Sequence, residues 1–198
     1  MSDNQYHFIT NWRVRSTVEE VYDIISKTRE LPRWWPSVYL KVDEIMPGDE
    51  NGVGKQVSLL TRGWLPYTLL WEFEVVESRK PYGSTIAAKG DFIGRGIWQF
   101  EQDGDFVDIS YDWQITAEKP LLKVLTPLLK PVFSANHRWA MEKGQESLKL
   151  EIARRQARTK AELDAIPSPP PPAAATVPLL VFISIVTVLI VLAIAAFL

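Results

Sequence analysis

Cysteine is absent from this chain of 198 residues, which excludes disulfides, thiolate nucleophiles and thiolate metal sites and permits a reducing compartment. Histidine is scarce: His7 and His137 are the two copies, with no HxxxH or HExxH spacing. A two-histidine, one-carboxylate centre would need both to converge, so neither a metal nor a cofactor is expected. A basic bias is missing as well, since the net charge is −2, and nucleic acid is not an expected partner. The opening MSDNQYHFIT lacks a basic stretch followed by an apolar run, so no cleaved signal peptide is expected. No Gly-x-Ser-x-Gly elbow occurs. Gly94-Arg-Gly96 is too short for a phosphate loop and reads as the start of a strand or a bulge.

What the chain does have is sharply divided. Residues 177–198 carry no charge over 22 positions, sixteen of them Val, Ile, Leu or Phe. As a helix they span about 33 Å, enough for a hydrocarbon core of about 30 Å. The expectation is a single-pass membrane tail anchor. Arg154, Arg155, Arg158 and Lys160 lie upstream and favour a cytoplasmic N-terminal domain, read here as facing in from a bacterial inner membrane. Residues 161–176 are rich in Pro and Ala and read as a linker that leaves the domain's orientation free.

Residues 1–160 read as one α+β domain. Strands are predicted at 6–14, 38–45, 55–61, 67–78, 82–89, 95–102 and 106–117, joined by turns such as Asp103-Gly104. Ser16 and Glu19 form a capping box ahead of a short helix, and Leu31-Pro-Arg-Trp-Trp-Pro36 reads as a helical turn. Alternation puts Tyr67, Leu69, Trp71, Phe73 and Val75 on one face, and Tyr111, Trp113 and Ile115 on another stretch of it. Only the helix predicted over 131–160 is long enough to cover that face. The leucine-rich residues 120–130 read as a lead-in that packs on the domain, with contact to a bilayer surface as the alternative.

The 131–160 helix has a wet side of Arg138, Glu142, Gln145, Glu146 and Lys149. Its apolar flanks are Trp139 and Leu150 on one side, and Met141, Leu148 and Ile152 on the other. Between them lie Phe133, Ala140, Gly144 and Ser147, with Asn136 and His137 close by. A middle made mostly of small residues has two explanations. Either the helix approaches the sheet backbone closely, or a hollow lies beneath it.

Three stretches, Ser16 to Ile25, Leu31 to Pro36 and Phe133 to Gly144, carry a resemblance to a known family. The chain from about 5 to 158 resembles the START-like, or SRPBCC, superfamily, and within it the polyketide cyclase/dehydrase-like branch. The resemblance implies a helix-grip fold of about seven antiparallel strands wrapped around a long C-terminal helix. It also implies a cavity for hydrophobic or amphipathic ligands such as lipids, sterols and polyketides. A cavity so placed would be lined by Trp71, Trp98, Tyr111, Trp113, Phe133, Asn136, His137, Ala140, Met141 and Gly144. The preferred expectation is a membrane-tethered binder of a hydrophobic small molecule or lipid. A cyclase or dehydratase is the enzymatic alternative, with His137 as general acid/base and Asn136 orienting a carbonyl. A non-catalytic interaction module is the third.

Overall fold

The computed structural model describes residues 4–118, 120–173, 184 and 187. Seven strands form one antiparallel sheet: β1 (Gln5–Arg15), β2 (Tyr39–Met46), β3 (Gln56–Thr61), β4 (Leu69–Ser78), β5 (Gly83–Gly90), β6 (Phe92–Asp103) and β7 (Phe106–Ala117). Their spatial order is β1-β7-β6-β5-β4-β3-β2. The run from β2 to β7 is a meander because each neighbour is reached by a short turn. β1 closes the other side by pairing along β7, Gln5 opposite Thr116 through Arg15 opposite Phe106. The predicted strands are therefore present, and their pairing is that of a helix-grip α+β fold.

Two small helices fill the crossing from β1 to β2: α1 (Val18–Ser26) and, after a 3-10 turn at Thr28–Glu30, α2 (Leu31–Trp34). The cap of α1 is Thr17, one residue later than expected, accepting the N–H of Glu20 at 3.3 Å. Ser16 instead donates its hydroxyl to the Glu20 carboxylate at 2.6 Å. Gly94-Arg-Gly96 is not a bulge. β6 runs through it in unbroken register with both neighbours, and Gly96 is needed because a Cβ there would meet the Tyr111 hydroxyl at 2.5 Å.

The long helix α3 covers Pro120–Gln156, 37 residues, or about 55 Å. It absorbs the expected lead-in rather than following it. Met141, Gly144, Leu148 and Ile152 are buried, and Arg138, Glu142, Glu146 and Lys149 are exposed. The chain breaks at 157–159, and α4 (Lys160–Ala165) restarts from a capping box of Thr159 and Glu162.

The segment that follows α4 touches the domain at two points within the described residues. The Pro167 carbonyl accepts from Arg154, and the Ala173 carbonyl accepts from Arg62 at 3.0 Å. These two bonds run from the domain to residues 167 and 173, and the expected linker's last residues, 174–176, lie outside the described residues. Among the described residues no helix is long and apolar enough to cross a membrane. The expected anchor, 177–198, lies outside the described residues except for Ser184 and Thr187, both helical.

A charged cluster fastens α3 to the small helices. Glu151, 2% exposed, takes both Arg33 guanidinium nitrogens at 2.7 Å, a bidentate arrangement that suits a fixed carboxylate. Arg155 joins it, donating to Glu151 at 3.1 Å and to Asp23 at 2.6 Å. Burial opposes ionisation of Glu151, but Arg33 and then Arg155 outweigh it and hold the carboxyl below its ordinary range.

Candidate functional site

The concave side of the sheet is not filled solidly. A cavity of about 130 Å³ lies beneath α3, comparable to an engineered hollow of about 150 Å³ that takes benzene. The sheet contributes Trp71, Tyr111 and Trp113, whose alternation turns them inward. The helix contributes Phe133, Asn136, His137, Ala140 and Met141. The Arg62-Gly63 bend and Tyr67 close one side.

That bend is fixed by Asn136. Its side-chain oxygen accepts the N–H groups of Trp64 at 2.8 Å and Leu65 at 3.2 Å. Gly63 permits the approach, since a Cβ there would overlap the Asn136 side-chain oxygen. Asn136 is thus committed to holding a wall of the cavity.

His137 stacks on Phe8, ring centroids 4.0 Å apart and planes 16° from parallel. Its Nε2 is buried and has no hydrogen-bond partner among the described residues. Burial, with a smaller contribution from Arg138, pushes its pKa down to about 4. The imidazole is therefore neutral at pH 7, a hydrogen-bonding group rather than a proton donor. His7 is elsewhere, on the outer face, 3.0 Å from Asp112, so the two histidines do not converge. Burial likewise raises the pKa of Tyr111 and Tyr67, which keeps both phenols protonated.

A second cavity, about 120 Å³, lies toward α1 and α2. Trp35, Tyr39, Trp71, Tyr111 and Met141 line both hollows and form the partition between them. Trp98, expected with the others, lines only this second one, stacked on Tyr111 with centroids 4.0 Å apart. Gly144 lines neither. A Cβ on Gly144 would overlap the Trp35 ring, so an indole from the end of α2 occupies the gap expected to be open there. The small-residue stripe is half filled by Trp35 and half hollow at Ala140.

A family model described as polyketide cyclase/dehydrase and lipid transport matches residues 14–185. The chain belongs to this family. Among solved structures, the family fold recurs in TTHA0849 from Thermus thermophilus, 13% identical, covering 77% of this chain and 100% of that one, with a TM-score of 0.59. The Zhui aromatase/cyclase from Streptomyces sp. R1128 is 15% identical over 78% of this chain and 97% of its own, TM-score 0.59. The di-domain ARO/CYC BexL from the BE-7585A biosynthetic pathway is 14% identical over 79% of this chain and 52% of its own, TM-score 0.58. At such identities the likeness is one of fold. No curated protein sequence matches.

Several residues that shape the family cavity in this chain escaped the sequence reading. Trp35 lies on the short stretch after α2, Tyr39 at the first position of β2 and Gly63 in the bend after β3, places where periodicity says nothing about which way a residue faces. Arg62, by contrast, was a sequence candidate for a cavity-facing polar group. The one available signal was the Trp34-Trp35 pair between two prolines, large apolar groups that a connecting segment must bury somewhere.

Proposed function

We propose that the domain binds a hydrophobic small molecule or lipid in the cavity beneath α3, and that residues 177–198 tether it to a membrane with the domain on the cytoplasmic side. One observation carries the reading: an aromatic-lined hollow of about 130 Å³ bordered by His137, whose buried Nε2 has no partner among the described residues. Mostly apolar walls with a few placed polar groups are what a ligand pocket needs for affinity and orientation. A lipid or similar ligand partitions into the bilayer, and a tether keeps the cavity near that reservoir. The charge-free run at 177–198 supports the tether. A pKa of about 4 at His137 favours carriage over the cyclase or dehydratase alternative, because at pH 7 the imidazolium needed as a general acid is scarce and the neutral ring is a weak base.

The test is to purify the full chain from membranes and identify co-purifying molecules by mass spectrometry, beside a Trp113→Arg variant. A hydrophobic compound present with the native chain and depleted from the variant is the expected result. Equal recovery from both, or none from either, sinks the binding reading. Recovery of the full chain in the soluble fraction sinks the tether.

A further inference from the structure

The second cavity has a chemistry of its own. Thr28 and Trp34 both line it and are 6% and 1% exposed. The Thr28 hydroxyl oxygen and the Trp34 indole nitrogen are buried with no hydrogen-bond partner among the described residues. Leaving such groups unmatched is costly, and an indole N–H can only donate. Most of the remaining wall is apolar or aromatic, with Phe73, Ile86 and Phe100 prominent, and Ser26, Asn51 and Ser84 add polar groups. Lys55 is the charged residue on the rim, and it is already engaged by Glu44 at 3.1 Å and by the Ser26 carbonyl at 2.9 Å. The compartment therefore offers two unmatched polar groups, one of them a pure donor, within mostly apolar walls and with no free charge.

We propose that this second compartment binds a neutral, apolar group carrying an oxygen acceptor, a ketone, ester or ether, hydrogen-bonded by Trp34 Nε1–H and the Thr28 hydroxyl. A cation finds no carboxylate in the lining, and an anion finds no free positive charge, because Lys55 is already paired. The proposal rests on the reading of the interior as ligand-binding, but assigns a separate place and a separate chemistry. The partition of Trp35, Tyr39, Trp71, Tyr111 and Met141 makes the two hollows addressable apart. A ligand with two lobes, or two small molecules, would fill both.

The test uses the full chain in lipid nanodiscs with 15N-labelled tryptophan and two probes of the same shape, acetophenone and α-methylstyrene. Only the first carries an acceptor. The indole signal of Trp34 is assigned from Trp34→Phe. Acetophenone is expected to move that signal downfield and saturably, and to bind about fivefold or more tightly than the alkene. Thr28→Val and Trp34→Phe should each erode that preference. Equal binding of the two probes at Trp34 overturns the acceptor assignment. Shifts confined to the Trp113 indole overturn the second compartment while leaving the first cavity's reading intact. Binding at neither place overturns both.

Discussion

The side-chain oxygen of Asn136 sits 2.8 Å from the backbone nitrogen of Trp64, so a helix residue acts as the cap of a loop 72 residues away in sequence. A second bond to Leu65 makes the asparagine the clamp of the cavity's side wall. Asn136→Ala leaves two N–H groups without their acceptor and should cost about 2 kcal/mol. Hydrogen exchange at Trp64 and Leu65 should accelerate with it. Unchanged exchange there would show that the clamp is unimportant.

Gly144→Ala separates two opposing effects. Helix propensity alone favours alanine by about 1 kcal/mol. The new Cβ, however, would overlap the Trp35 ring, and overpacking of a tight site costs about 1–3 kcal/mol. The expected net result is destabilisation in thermal melting. A more stable variant would mean that Trp35 moves freely, and that the partition yields with it.

His137 sets a pH window. Its pKa falls from an ordinary 6.5 to about 4 in the folded chain. Between those values the unfolded chain binds a proton that the folded one refuses, so stability rises with pH across the window and is complete above 6.5. Acidification across that window should therefore remove about 3 kcal/mol through this group. In His137→Gln the slope of stability against pH over that interval should flatten. A slope identical to the native one would exclude a buried, neutral imidazole.

Glu151 acts in a lower window. Its carboxyl pKa is held below the ordinary value of 4.5, so its contribution is present above that value and is lost as pH falls through the folded pKa. Glu151→Gln removes the charge that Arg33 and Arg155 share, and a loss of about 3 kcal/mol at neutral pH is expected. Chemical denaturation at neutral pH and at about pH 3 should show the gap between native and variant narrowing under acid. A constant gap would assign the effect to packing.

Much of the frame was readable because its signals are local. Strand alternation and Asp-Gly or Asn-Gly turns act within a few residues, so Trp71, Tyr111 and Trp113 could be turned inward from the sequence. The prolines at 127 and 131 hid the continuity of α3, because tertiary packing overrode a local breaker. Small residues at 140 and 144 announced a gap, but its occupant, Trp35, lies far upstream in the chain and only the fold brings it there. Nothing local marks Glu151 either, for the same reason: Arg33, its partner, is 118 residues distant. Trp98 alternates in phase with its neighbours and still falls on the far side of the partition, a distinction that periodicity does not encode.

The bond from Arg62 to the carbonyl of Ala173 has a bearing on reach. Arg62 borders the first cavity, and position 177 is four residues further along the chain, at most about 14 Å when fully stretched. The apolar run thus begins within one short step of the cavity wall that Arg62 forms. Under the proposed tether, a bilayer that receives that run would lie within that distance of the same wall.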